Sequence, residues 1–216
     1  MFINVSDPIG DGVIASLARP GGNITGFINV EASMAGKWLE LLREIAPGLR
    51  RAAVLLNPDI GPARGTFFIA PIKEAASLFN LAASMAPVRS DAEVGNLIES
   101  LGRESGSGLI IVPGGAFARI HQKRILELTV QHRVPAIYAE RGFSEAGGLL
   151  SYGPDYLDLF RRAAGYVDRV LRGTKPAELP VQVPTKFELI INLRTAKAMG
   201  LSVQPTMLTR ADEVIE

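Results

Sequence analysis

Cysteine is absent from the 216 residues, which removes disulfide frameworks, thiolate metal sites and cysteine nucleophiles from consideration. Its absence does not choose a compartment. Histidine occurs twice, as His121 and His132 on one expected helix, with no third ligand in view, so no metal centre is expected. Net charge is nearly absent too. The 23 Lys and Arg offset 22 Asp and Glu, leaving +1, which gives no electrostatic case for nucleic acid or an acidic membrane. No apolar run reaches the roughly 18 residues that a membrane-spanning helix needs. The opening Met1-Phe2-Ile3-Asn4-Val5 has neither the basic region nor the long apolar core of a signal peptide. Gly61–Thr66 lacks the Gly-Lys-Ser/Thr ending of a phosphate loop, and no G-x-S-x-G elbow surrounds Ser151. The sequence offers no catalytic constellation and implies no cofactor.

What the chain does have is apolar content, 47% of it, with 21% charged residues, the balance of an ordinary globular protein of one large domain or two small ones. Short β-branched runs at Phe2–Val5, Ile24–Val30, Ala52–Leu56, Leu109–Val112, Ala136–Tyr138 and Leu149–Tyr152 read as strands, with a weaker one at Leu81–Val88. They are continuous rather than alternating, as strands covered on both faces are. The first opens on residue 1, which leads us to expect an upstream segment. Helical stripes lie between them: Val13–Ala18 ending at Pro20, Met34–Ile45 stopped by Pro47-Gly48, a less regular one from Gly61 to Phe79, and one capped by Ser90 or Asp91 through Leu101. A fifth carries Ile125, Leu128 and His132. A sixth, capped by Asp155, turns Tyr156, Leu159, Phe160, Ala163, Val167, Val170 and Leu171 inward. Thr185–Met199 reads as a seventh. This alternation predicts an α/β fold with doubly wound parallel sheets.

Gly10-Asp11-Gly12-Val13-Ile14-Ala15 matches G-x-G-x-x-A, and Glu31 stands about where a ribose-binding acid belongs, so a nicotinamide-dependent oxidoreductase is one reading. Asp7 and Asp11 argue against it, because they put carboxylates beside the supposed phosphate site. Polar residues otherwise collect just past strand carboxyl ends, where open α/β sheets bind ligands. Ser6 and Asp7 follow the first strand, Asn57 follows Ala52–Leu56, Gly114 and Phe117 follow Leu109–Val112, Tyr138 and Glu140 end the strand at Ala136, and Tyr152 ends the one at Leu149. Any one of them could equally cap a helix or shape a turn.

At these residues the chain resembles a known family. Asp7-Pro8-Ile9-Gly10 through Arg19-Pro20-Gly21-Gly22-Asn23-Ile24-Thr25-Gly26-Phe27, Lys37-Trp38-Leu39-Glu40-Leu41-Leu42, Ala53-Val54-Leu55-Leu56-Asn57-Pro58, Gly147-Gly148-Leu149-Leu150-Ser151-Tyr152-Gly153-Pro154-Asp155 and Pro184-Thr185-Lys186-Phe187-Glu188-Leu189 are similar to the ABC-transporter substrate-binding proteins of the tryptophan/tyrosine type. The resemblance implies a type I periplasmic-binding-protein fold. Two lobes are joined by hinge strands, and a small solute is captured in an inter-lobe cleft and handed to a membrane permease and its ATPase, without catalysis, outside the cytoplasm. It implies lobe 1 at 1–26 and 149–216, incomplete at its start, and lobe 2 at 27–148. Ser6 and Asp7 would face the solute from lobe 1, and Asn57, Gly114, Phe117 and Glu140 from lobe 2, with Tyr152 near the hinge. Tyr138 or Tyr152 would stack on a planar solute, and Asp7 and Glu140 would pair with the ammonium of an amino acid. The family often carries an Asp where this chain has Gly114-Gly115, which leaves the solute open. An incomplete lobe 1 leads us to expect exposed apolar helix faces and a homodimer through that lobe. A ligand-sensing regulatory domain on the same fold is the third reading.

Overall fold

Strand signals and helix stripes resolve into two units. The structure, a computed structural model, describes residues 1–31, 33–60, 67–113 and 116–216. The larger unit comprises Ala32–Gly153 and Glu188–Glu216, the smaller one Met1–Glu31 and Pro154–Phe187.

In the larger unit, β3 (Arg51–Leu56) has β4 (Ala82–Pro87) on one side and β5 (Ser107–Ile111) on the other, followed by β6 (Ala136–Tyr138) and β7 (Leu150–Pro154). These five strands run parallel. Val54, Ile110 and Ile137 are fully buried on one face, while Leu55, Leu109 and Ala136 belong to the core on the other. Burial on both faces explains why these strands read as unbroken apolar runs. On one side Trp38, Leu41, Leu42 and Ile45 of α1 (Met34–Ile45) are buried to the last atom or nearly so. The indole Nε1 of Trp38 donates to the Tyr152 carbonyl at 2.8 Å, so its burial leaves no orphaned N–H. The other helices are α2 (Ile69–Leu78), α3 (Asp91–Arg103), α4 (Ala116–Ile120), α5 (Gln122–Gln131) and α6 (Arg141–Glu145). Ser90 caps α3, its Oγ accepting the Glu93 N–H at 3.2 Å.

The sheet continues through β8 (Phe187–Asn192) and β9 (Glu213–Ile215), which pair with each other in parallel. The Asn192 N–H donates to the Leu149 carbonyl and the Asp155 N–H to the Lys186 carbonyl, so β8 runs opposite to its neighbour β7. This corrects two expectations. Residues 185–199 are not one helix: a largely apolar Phe-Glu-Leu-Ile-Ile run forms a strand, and Asn192 then caps α8 (Leu193–Met199) by accepting the Thr195 N–H. And residues 188–216 belong to the larger unit, because β8 and β9 extend its sheet and α9 (Pro205–Leu208) lies between them.

The smaller unit is built on two parallel strands, β1 (Phe2–Val5) and β2 (Gly26–Ile28), with a bridge from Phe27 to Gln182. The register slips between Ile3 and Val5, where Asn4 adopts a φ of 68°, a left-handed conformation that Asn tolerates better than most residues. The expected helix at Val13–Ala18 does not form. Gly12 turns left-handed at φ 70°, the N–H groups of Val13 and Ile14 share the Pro8 carbonyl, and that of Ala15 reaches the Pro20 carbonyl. A six-residue stretch with two β-branched residues and a proline behind it does not sustain a helical ladder. The long helix α7 (Tyr156–Leu171) starts at Asp155, whose carboxylate accepts the Asp158 N–H at 3.0 Å, and Gly173 follows its end at φ 101°. Leu159 and Ala163 pack on Phe27, but Phe160, Val167 and Leu171 are exposed, contrary to the inward stripe expected of them.

Candidate functional site

Parallel strands bring their carboxyl ends to one edge, and in the larger unit the registers fix that edge residue by residue. Leu55 pairs with Ile111, Ile111 with Tyr138, and Tyr138 with Ser151, a row crossing four strands. The residues one and two positions beyond that row form the candidate rim: Asn57, Pro113, Glu140 and Tyr152. Gly153 shows how closely the rim is built. A Cβ there would stand 1.9 Å from the Ala139 carbonyl oxygen, so only glycine lets the end of β7 pass the turn after β6.

Asn57 is buried, and its Oδ1 accepts the Asp59 N–H at 2.8 Å, which shapes the turn after β3. Asp59 in turn pairs with the Arg89 Nε at 3.0 Å. Glu140 lies at the start of α6 with its side chain 19% exposed, and one of its carboxylate oxygens receives both Nη2 and Nε of Arg119, at 2.8 and 3.0 Å. A carboxylate and a guanidinium thus stand together at the strand ends, paired with each other. Tyr152 is half-buried. Burial, helped by the negative charges of Glu40 and Asp212, pushes its phenol above the ordinary range and keeps it a neutral donor.

Two expected ligand residues turn out to be core. Tyr138 is wholly buried: its ring stacks on Phe143 at 4.8 Å and 15°, and its hydroxyl lies 3.3 Å from the Thr129 Oγ1. Burial pushes its phenol well above the ordinary tyrosine range. A ring enclosed in this way offers no face to a solute, so the stacking role expected of Tyr138 gives way to a packing one. Phe117 likewise sits in the core of this unit, 7% exposed and 4.4 Å from the His121 ring. Gly114 lies outside the described residues.

In the smaller unit Ser6 and Asp7 follow β1. The Ser6 hydroxyl donates to the Asn29 Oδ1 at 2.9 Å, and the Asn29 Nδ2 donates to the Asn4 Oδ1 at 2.6 Å. Asp7 accepts the Gly10 N–H at 2.8 Å. That bond removes the dinucleotide reading: the G-x-G-x-x-A stretch opens no helix, and a carboxylate already occupies the place a phosphate would take.

Arg119 and Arg141 are not among the residues that the sequence alone singles out. Because β8 and β9 run opposite to β7, their first residues reach the rim as well. Arg141 therefore meets Glu145, Glu188 and Glu213 at 2.8–2.9 Å. The hydrogen bond to Glu145 leads the causes that hold the Arg141 proton more firmly than usual. Its position directly after Glu140, three residues past the end of β6, is the available signal. No group of three or more His, Cys, Asp and Glu fit to hold a metal occurs among the described residues. His121 instead pairs with Asp91 at 3.1 Å. An open cavity of about 440 Å³, lined by Leu49, Leu101, Ser107, His132 and Pro135, lies at the opposite, amino edge of the sheet and outside the candidate rim.

Comparison with known proteins bears on the whole chain. Residues 1–215 match the model of the family described as ABC transporter substrate binding protein. The tyrosine-binding protein of Clostridioides difficile (strain R20291) is 25% identical over 200 residues, 91% of this chain and 55% of that protein. The chain therefore spans little more than half the length of that curated relative. Among solved structures, the ABC domain in complex with L-Trp from Streptococcus pneumonia superposes with a TM-score of 0.88 at 23% identity, over 99% of this chain and 71% of that one. A conserved domain protein from Vibrio cholerae O1 biovar eltor gives 0.87 at 25%, over 97% and 69%. The fold is thus the α/β type I periplasmic-binding-protein fold, and its strand-end rim is placed as open α/β sheets place ligand sites. The chain belongs to the ABC transporter substrate-binding protein family.

Proposed function

We propose that this chain is the solute-binding part of an ABC importer for an amino acid, with an aromatic one as first choice. On this reading it binds without catalysis outside the cytoplasm, and the loaded protein is read by a permease coupled to an ATPase. The observation that carries the reading is the family match across residues 1–215. The names of two relatives, one binding tyrosine and one solved with L-Trp, support the choice of solute. The Arg119–Glu140 pair supports it chemically: an α-carboxylate suits the guanidinium and an α-ammonium suits the carboxylate. Tyr152 adds a neutral phenol and an aromatic surface at the same rim. Asn57 shapes that rim, and in the smaller unit Ser6 and Asp7 offer an oriented hydroxyl and a second carboxylate.

Calorimetric titration with L-Trp, L-Tyr, L-Phe and L-Leu tests this. We expect heat from the aromatic amino acids and about a tenfold or greater loss of affinity in Glu140→Gln, as expected for a charge-assisted bond of roughly 1.5–3 kcal/mol. Silence from all four ends the amino-acid reading. Heat that survives Glu140→Gln and Arg119→Ala unchanged removes the rim from it.

A further inference from the structure

Large apolar side chains are exposed singly over most of the chain, Leu78 on α2 and Ile120 on α4 among them, and such isolated cases need no partner. On α7 they are not isolated. Leu157, Phe160, Val167 and Leu171 are 65, 55, 42 and 81% exposed, and Ala164 between them is exposed as well. Their spacing is 3, 4, 3, 4, the period that keeps one seam facing a partner helix. The stripe lies beside, not on, the face that Leu159 and Ala163 press onto Phe27.

The order of residues along this seam identifies the partner. Read outward from Ala164, the seam is nearly the same in both directions: Phe160 stands opposite Val167, and Leu157 opposite Leu171. The charges obey the same rule. Arg161 lies three residues before Ala164 and Asp168 four after it, both exposed on the same flank of the stripe, where Asp168 also accepts the Arg172 Nε–H of its own helix at 2.9 Å. When two such helices pack antiparallel about a two-fold axis at Ala164, a residue on one flank meets the same flank of the other copy. Each Arg161 then faces the Asp168 of the second copy, each Leu157 faces Leu171, and the small Ala164 side chains meet at the crossing, where they let the backbones approach. We propose that α7 is a self-complementary interface and that its occupant is the α7 of a second copy of this chain. The two-fold pattern is what favours a second copy, since an unrelated partner needs no palindrome. The seam runs about 21 Å at roughly 1.5 Å per residue, shorter than a standard interface needs, so the dimer is weak, with a Kd on the order of micromolar.

The chain has no cysteine, so a single introduced thiol reports the contact directly. Ala164→Cys stands at the two-fold axis and is expected to oxidise to a disulfide dimer far faster than Lys73→Cys on the exposed side of α2. Sedimentation of the wild-type chain across a concentration series is expected to show a monomer–dimer equilibrium. Leu171→Glu should weaken it at least tenfold, because every dimer carries the change twice. Arg161→Glu should weaken it several-fold, and adding Asp168→Arg to the same chain should restore it. The far-ultraviolet spectrum of each variant is expected to match the wild type, since all these residues are exposed. A monomer at every concentration overturns the proposal and leaves the face to another occupant, a further segment of a longer protein or a different polypeptide. A dimer indifferent to Leu171→Glu, or equal cross-linking rates for the two cysteine variants, overturns it as well. None of these outcomes bears on solute binding.

Discussion

Two helices of this chain carry equally evident apolar stripes and have opposite fates. In α1 the stripe of Met34, Trp38, Leu41, Leu42 and Ile45 vanishes from solvent against the larger sheet. In α7 the stripe splits: Leu159 and Ala163 go inward, while Leu157, Phe160, Val167 and Leu171 face outward. The difference lies in what stands opposite each helix. The larger unit offers α1 a seven-stranded sheet, and the smaller one offers α7 only a pair of short strands and the bridge at Gln182. An amphipathic pattern states that a helix seeks cover, and the size of the neighbouring sheet decides how much it receives.

The sharpest way to break this comparison is to remove the centre of the covered stripe. Trp38→Ala deletes a fully buried indole and leaves the Tyr152 carbonyl without its donor, so thermal or denaturant unfolding should register a loss of about 3–5 kcal/mol. A loss below 1 kcal/mol would mean that the α1 contact is not what holds the larger unit. Gly153→Ala comes next. Its Cβ collides with the Ala139 backbone, and overpacking of this kind costs about 1–3 kcal/mol. The strain falls at the rim, so its amide chemical shifts should move at Glu140 and Tyr152 more than on α7.

The same unit should respond to alkali through Tyr138. Its folded pKa is raised by burial, so the stability its neutral form contributes is present in full below the unfolded value of 10.0. Above that pH the unfolded chain ionises while the folded one does not. Stability is therefore lost progressively as pH climbs from about 10 toward the folded pKa, by up to a factor of ten in the folding equilibrium per pH unit. Tyr138→Phe should remove the Tyr138 share of that slope, leaving the part due to Tyr152, and cost about 1 kcal/mol at neutral pH through the lost contact with Thr129. An unchanged alkaline limb in Tyr138→Phe would place the ring outside the core.

Most of this architecture was legible in the sequence because the signals were local. Ser90 and Asp155 announce helices three residues before an accepted N–H, and the buried strands β3, β5 and β6 show as unbroken apolar runs. Legibility ended where the outcome depended on partners distant in the chain. Residues 187–192 satisfy a helical stripe as well as a strand, and pairing with β9 more than twenty residues later decides between them. Val13–Ala18 has a helical stripe, yet its N–H groups go to the Pro8 and Pro20 carbonyls, and Ile14 and Leu17 pack on Ile28 and Phe2 from a turn-rich segment. At the rim, strand ends could be located, but not the side of the backbone on which each ring falls. Tyr138, in register with Ile111 and Ser151, points into the core, and the half-buried Tyr152 lies beyond that row. Arg119 and Arg141 went unnoticed because a sequence does not show which carboxylates an arginine will meet.

The smallest expected effect tests the uncovered half of the comparison. Leu171→Ala removes as much side chain as many costly core substitutions, yet in the folded chain that side chain is 81% exposed. Its truncation should change unfolding by no more than about 0.5 kcal/mol at protein concentrations well below those at which copies associate. At higher concentration the wild type should gain stability that Leu171→Ala does not, since a partner that binds only the folded chain shifts unfolding by mass action. The two curves should therefore coincide when dilute and separate when concentrated. A loss already present in the dilute sample would show that residues of the same chain cover this end of α7, and the contrast with α1 would then be one of degree only.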